Sequence, residues 1–302
     1  MHPAGIMLAV LLLAVLLALF RSEWEKRSLS VETYEIRTDK LREGARFVFL
    51  TDMHSASFGE NNCELLHRID GLSPDAVLIG GDMITCGKRT PVPPKTDVCL
   101  HLLEQLSERY RIYYAEGNHE TRMKERFPDT YKMFTDHLMQ LGVEYLCNDT
   151  EIFDTEDLIE DEEDDIVLSG VSLEQKFFNA LKPGFGRREA MPDGYLEQKI
   201  GTPDKWKFNI LLLHSPLYFQ EACAWGADLV LSGHFHGGTI RLPFVGGVMT
   251  PQYQFFIRQC AGRFDCEHAS MIVSRGLGTH SIRIRFNNLP EISLIKVIPD
   301  IV

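Results

Sequence analysis

"RFVFLTDMH", Arg46 to His54, reads as a buried strand that runs straight into an aspartate and a histidine. Arg46–Leu50 is aromatic and β-branched, as expected of a strand covered on both faces. Asp52 and His54 sit just past its carboxyl end. The same arrangement recurs along the chain. "AVLIG" (Ala76–Gly80) is followed by Asp82, and "RIYYAE" (Arg111–Glu116) by Asn118, His119 and Glu120. "FNILLL" (Phe208–Leu213) is followed by His214, and "DLVLS" (Asp228–Ser232) by His234 and His236. Five strand-like runs each end in a carboxylate, an amide or an imidazole.

The stretches between them carry apolar residues at helical spacing. Asn62–Ile69, Val98–Leu106 and Tyr131–Gly142 are expected helices, the last stopped by Gly142. Strand, helix, strand in repetition predicts an α/β fold with its sheet covered on both faces. In such sheets ligands gather beyond the carboxyl ends of the strands. Groups far apart in sequence are therefore expected to converge.

Each residue alone has an ordinary role available. Asp52 and Asp82 suit helix caps, His214 a packed core histidine, and Asn118 a turn. The coincidence at five strand ends is more simply explained by a metal centre. His234 and His236 stand at i and i+2 and, in an extended segment, would face the same way. Gly233, Gly237 and Gly238 permit the turn and the close approach. Two Asp, four His and one Asn exceed the needs of one tetrahedral zinc. Mixed oxygen and nitrogen donors suit Mn, Zn, Fe or Co rather than calcium. With one carboxylate shared, the set divides into two sites, and paired cations serve phosphoryl transfer. The residues point to hydrolysis of a phosphate ester.

Asp52-Met53-His54, Gly81-Asp82, Gly117-Asn118-His119-Glu120, His214 and Gly233-His234-Phe235-His236 occur in an order that resembles the calcineurin-like metallophosphoesterases. "SGHFHGGTIRLPFVGG" and "IVSRGLGTH" are similar to signatures of the membrane-associated YkuE/YaeI-type phosphodiesterase branch. The resemblance covers roughly Arg46 to Val297. It implies a four-layer fold, a two-sheet β-sandwich flanked by helices. It implies that Asp52, His54 and His236 hold one divalent metal ion, that Asn118, His214 and His234 hold a second, and that Asp82 bridges both. His119 would protonate the leaving group, stabilise its charge, or orient its neighbours. Glu120 is expected behind the ligands.

Pro3–Phe20 carries no charge, and eighteen helical residues span about 27 Å, enough for a bilayer core. Nothing basic precedes it, and Leu19-Phe20-Arg21 is a poor cleavage site, so an uncleaved anchor is expected. Arg21, Lys26 and Arg27 follow the span, which predicts a cytoplasmic body. The expected division is 1–21 anchor, 22–44 linker and first strand, and 45–300 metallophosphoesterase domain.

The chain is 44% hydrophobic and 25% charged, which argues against disorder and against a multispanning protein. Nine of the carboxylates behind the net charge of -12 fall in Asp154–Asp165, read as a solvated loop. No basic stripe suggests nucleic acid. Seven cysteines without a CxxC read as reduced thiols. Leu173–Lys207 is unassigned and is a candidate cap. Its Arg187 and Arg188 fit exposed surface, or a substrate phosphate. "FVGGVMTPQYQFF" (Phe244–Phe256) is rich in aromatics and fits core packing or a lipid-facing surface.

The expected activity is therefore that of an anchored phosphodiesterase or pyrophosphatase, acting on a substrate such as a nucleotide-linked lipid. A phosphomonoesterase or protein phosphatase shares the same metal motifs. A non-catalytic metal-binding scaffold is the third reading.

Overall fold

The computed structural model describes residues 3–153, 165–178, 188–251, 253–279 and 282–300. The acidic run up to Asp164, and Arg187, lie outside the described residues.

Two six-stranded sheets face each other. The first contains β1 (Ser30–Thr38), β2 (Ala45–Leu50), β3 (Ala76–Ile79), β4 (Arg111–Ala115) and β5 (Glu144–Leu146). Its sixth strand, which lies between β1 and β2, is the carboxyl-terminal β14 (Glu291–Pro299). The second contains β6 (Asp149–Phe153), β7 (Ile166–Gly170), β8 (Phe208–Leu212), β9 (Leu229–Ser232), β12 (Gly262–Asp265) and β13 (Ser270–Val273). In the first sheet β2, β3, β4 and β5 are parallel neighbours, and in the second β7, β8, β9 and β13 are. A small antiparallel pair, β10 (Arg241–Leu242) and β11 (Gly246–Gly247), stands apart.

Alternation along each strand builds the layers. Phe47 and Phe49 of β2 pack between the sheets with Leu78, Leu168, Ile210, Leu212 and Leu231. Val48 and Leu50 face the other way, against Leu65 and Ile69 of α2 (Cys63–Leu72), Leu102 and Leu106 of α3 (Asp97–Ser107), and Phe134 and Leu138 of α5 (Pro128–Gln140). On the far side, Leu211, Val230 and Met271 meet Leu196 of α6 (Tyr195–Ile200) and Phe219 of α7 (Phe219–Trp225). The order of layers is helix, sheet, sheet, helix. α5 starts earlier than the apolar spacing suggests, because Pro128 opens it at a position where a missing N–H costs nothing.

Among the described residues one helix, α1 (Pro3–Glu25), is long and apolar enough to cross a membrane by length and composition. Its last turn is built into the domain. Ser22 and Glu25 are buried, and the Glu25 carboxylate accepts the N–H groups of Asn287 and Asn288 at 3.0 and 2.9 Å. Ser22 Oγ accepts the N–H of Arg285.

Cys223 and Cys266 form a disulfide. This corrects the expectation of seven thiols: the turn before β13 returns the chain to α7, a meeting that cysteine spacing does not encode. Cys63, Cys86, Cys99, Cys147 and Cys260 are free.

Candidate metal centre

Asp52, Asp82 and Asn118 follow three adjacent strands of the first sheet, and His214 and His234 follow two adjacent strands of the second. The cluster straddles the seam between the sheets. Ligand atoms lie within 4.8 Å of one another in each of three sets. These are Asp52, His54 and His236; His54, Asp82 and His119; and Asp82, His214 and His234. Shared members fuse the sets into one buried group.

The backbone is bent hard to achieve this. Asp52, His54, Asp82, His234 and His236 all have φ between 48° and 72°, in the left-handed region that non-glycine residues seldom occupy. Such conformations cost about 1–3 kcal/mol each and gather where function over-determines the backbone. The finding also corrects one sequence argument. His234 and His236 are not same-facing residues of an extended segment. They lie in a left-handed turn that sends His234 towards Asp82 and His214, and His236 towards Asp52 and His54. Gly233 is required there by contact: a Cβ on it would stand 2.2 Å from Asp52 Oδ2.

Hydrogen bonds fix the imidazoles. His214 Nδ1 donates to Gly80 O at 2.6 Å, and His236 Nδ1 to Gly278 O at 3.1 Å. A carbonyl can only accept, so in the neutral rings each Nε2 lone pair is left for the cluster. His214 Nε2 lies 3.2 Å from Asp82 Oδ2, and His236 Nε2 lies 3.3 Å from Asp52 Oδ1. His54 Nε2 and His236 Nε2 face each other at 3.1 Å. His119 is held in the opposite sense. Its Nδ1 accepts the Cys86 N–H at 2.7 Å, so the proton sits on Nε2, 3.9 Å from Asp82 Oδ2.

The carboxylates are held as tightly. Asp52 Oδ2 accepts the His234 N–H at 2.8 Å, and Asp82 Oδ1 accepts the His119 N–H at 2.7 Å. Burial, only partly offset by His214, pushes the Asp52 pKa up to about 6. Asp82 is buried as well, yet His214 and His119 hold its carboxyl well below the usual range. Burial works against charge on His214, but Asp82 and Asp52 raise its pKa to about 10. Burial and the neighbouring His214 push His234 far down.

The donor set fits divalent cations. Asp52 Oδ1 and Asn118 Oδ1 are buried with no hydrogen-bond partner among the described residues. They lie among imidazole lone pairs and a second carboxylate, an assembly of hard and borderline donors suited to Mn, Zn, Fe or Co.

Of the residues that brace this cluster, the strand-end pattern includes Glu120 and points to none of the others. Glu120 accepts the N–H groups of Asp82, Met83 and Gly117 at 2.8, 2.9 and 3.0 Å, and the Tyr114 hydroxyl at 2.9 Å. It lies behind the cluster and ties the β3 and β4 loops together. Arg285, fully buried, donates to the carbonyls of Arg275, Gly276 and Gly278. Asn288 Nδ2 donates to His236 O at 2.7 Å. Phe178 walls the site against the rings of His214 and His234. Arg188 is engaged with Glu221 at 2.9 Å, on the outer helix layer.

The family model for calcineurin-like phosphoesterases matches residues 45–238, a span that contains all of these ligand candidates. An uncharacterized metallophosphoesterase of Bacillus subtilis, YkuE, is 38% identical over 90 residues, covering 30% of this chain and 31% of that protein. One from Helicobacter pylori J99 is 26% identical over 269 residues, covering 87% and 62%. One from Aquifex aeolicus is 26% identical over 298 residues, covering 94% and 97%. The chain thus spans less than two thirds of the first two relatives and nearly all of the third. Among solved structures, TT1561 of Thermus thermophilus aligns over 78% of this chain and 91% of that one, with a TM-score of 0.46 and 10% identity. With ligand candidates at the strand ends in this order and a family match across both sheets, the chain belongs to the calcineurin-like phosphoesterase family.

Proposed function

We propose that the chain is a membrane-anchored phosphodiesterase. Asp52, His54 and His236 hold one divalent cation, Asn118, His214 and His234 a second, and Asp82 serves both. The observation that carries this is the pair of orphaned buried oxygens, Asp52 Oδ1 and Asn118 Oδ1. A buried acceptor without a donor costs about 1–3 kcal/mol, and two in one cluster point to a ligand that completes them.

When bound, divalent cations supply Lewis-acid stabilisation of phosphoryl oxygens and lower the pKa of water at the site. The chain's own residues do the rest. Gly80 O and Gly278 O hold the His214 and His236 rings in one tautomer. The Cys86 N–H keeps the His119 proton on Nε2, where it can donate to the departing alkoxide. Glu120 keeps Asp82 and the amino end of α4 (Asn118–Arg126) at a fixed separation.

Turnover of bis(p-nitrophenyl) phosphate with Mn²⁺, abolished by chelation, is the expected result. A chain that loads metal and hydrolyses no phosphate ester counters the proposal. A strong preference for p-nitrophenyl phosphate over the diester moves the assignment to a phosphomonoesterase.

The anchor reading is supported by Ser22 and Glu25, which make the end of α1 part of the domain. Arg21, Lys26 and Arg27 favour a cytoplasmic body. The Cys223–Cys266 disulfide favours the opposite face, because such bonds persist in oxidising compartments. We assign the cytoplasmic face on the cations, and protease accessibility in intact cells decides between the two. The anchor favours a substrate at the membrane, such as a nucleotide-linked lipid.

A further inference from the structure

Beyond His236 the chain forms an apolar ribbon that nothing among the described residues covers. β10 and β11 make its first hairpin. A second is held by the Phe256 N–H on Val248 O at 3.0 Å and by a bridge between Met249 and Phe255. Leu242, Phe244, Val245, Tyr253, Phe255 and Phe256 stand exposed on it, Phe244 at 109%. Contiguous exposed apolar groups mark a contact surface.

The ribbon's base identifies the partner. Arg241 N–H donates to Phe286 O at 2.9 Å, and Asn287 Nδ2 donates to Arg241 O at 3.2 Å. The same two residues receive the end of α1. The Arg21 guanidinium lies 5.0 Å from the Phe286 ring centroid and donates to Asn287 Oδ1 at 2.5 Å. The ribbon therefore starts beside the residue that follows the uncharged span. Two to four strand residues reach roughly 7–13 Å, and the polar zone on each side of a hydrocarbon core is about 5–8 Å deep. Trp24, exposed one turn past Phe20, adds an aromatic of the type that settles at this depth. A cavity of about 10 Å³, the size of one water, is bordered by His236 of the metal centre and by Pro251 of the ribbon.

We propose that residues 242–251 and 253–256 form an interfacial element that inserts among the lipid headgroups where α1 leaves the bilayer, seating the mouth of the metal centre at the membrane surface. The proposal rests on the reading of α1 as a membrane span. It adds that a lipid-linked phosphoester reaches the site from the plane of the bilayer.

The test uses the full chain in phosphatidylcholine vesicles. Phe244→Trp places an indole at the ribbon tip, and Met133→Trp places one on α5 as an aqueous control. Brominated acyl chains are expected to remove about half of the emission added by Phe244→Trp and none of that added by Met133→Trp. Added emission that bromolipid leaves intact, and that aqueous acrylamide quenches as fully as the control, overturns the proposal. Carbonate washing separates the two readings. A chain washed from the vesicles overturns the span and the ribbon together, whereas a retained chain with an unquenched tip overturns the ribbon alone.

A double variant, Phe244→Ser with Phe256→Ser, probes the consequence. Turnover of water-soluble bis(p-nitrophenyl) phosphate is expected to stay within about twofold, and turnover of a diester on a diacylglycerol in the vesicle to fall about tenfold. Equal loss, or no loss, on both substrates overturns the seating. Quenching needs no turnover, so a failed phosphodiesterase assignment is read separately.

Discussion

Gly81→Ala tests whether the loops after β3 and β4 must touch for the site to exist. Gly81 has φ +88°, and a Cβ there would stand 2.1 Å from Gly117 N and 2.5 Å from Gly117 Cα. Both atoms are backbone, so no side chain can rotate aside, and the loops must part by roughly 1 Å to restore contact distance. Overpacking of this kind costs about 1–3 kcal/mol, and a left-handed alanine about 1–2 kcal/mol more. The sum, about 2–5 kcal/mol, corresponds to a melting point lower by roughly 4–20 °C for a domain of this size. The same displacement separates Asp82 Oδ1 from the His119 N–H, now at 2.7 Å, and carries Asn118 away from Asp82. A shift of about 1 Å at such a site costs on the order of 100-fold in rate. Melting in chelator reads the fold, and Mn²⁺ calorimetry reads the site. Gly142→Ala is the control: its φ is +72°, but nothing lies within 4 Å of the added Cβ. It should lose only about 1–2 kcal/mol and bind Mn²⁺ as the parent does. If Gly81→Ala matches Gly142→Ala in both measurements, the close approach of the two loops is not what holds the centre.

His119→Ala is expected to lower diester turnover about 10²–10⁴-fold with Mn²⁺ binding intact; loss of binding would recast His119 as a brace. Metal affinity should depend on pH in a stated direction. The cation needs an ionised Asp52, whose pKa stands at about 6. It also needs a neutral His214, whose pKa stands at about 10, so apparent Mn²⁺ affinity should fall about tenfold per unit from pH 10 to 6 and about 100-fold per unit below 6, where Asp52 takes a proton as well. Calorimetry showing no steepening of that dependence below pH 6 would reject Asp52 as a ligand. Cys223→Ser opens a link between residues 43 apart and should cost about 2–4 kcal/mol in urea unfolding. Non-reducing peptide mapping that finds both thiols free in protein from intact cells would restore the all-thiol reading.

The strand ends were legible in the sequence because a buried strand has to be apolar and its ligands follow at once. Arg46–Leu50 and Phe208–Leu213 nevertheless look alike locally, although one belongs to each sheet. Periodicity reports that a run is covered on both faces, not which run lies beside it. Glu291–Pro299 fills the gap between β1 and β2 for the same unseen reason. At the site, side-chain types were visible but their orienters were not. Gly80 O and Gly278 O are main-chain atoms, which every residue carries. The left-handed turns at Asp52, Asp82 and His234 run against residue preference, so propensity could not anticipate them. Arg285 and Asn288 act through carbonyls that only the folded loop brings near.

The place of β14 has a consequence for synthesis. Ser30 pairs with Glu291, so β1 waits for a strand made about 260 residues later. At roughly 5–20 residues per second the wait is about 13–50 s. During that time the edges of β1 and β2 that β14 will occupy stay unzipped. β14 must be made before the first sheet can close, and chaperone cover for these edges is needed until then.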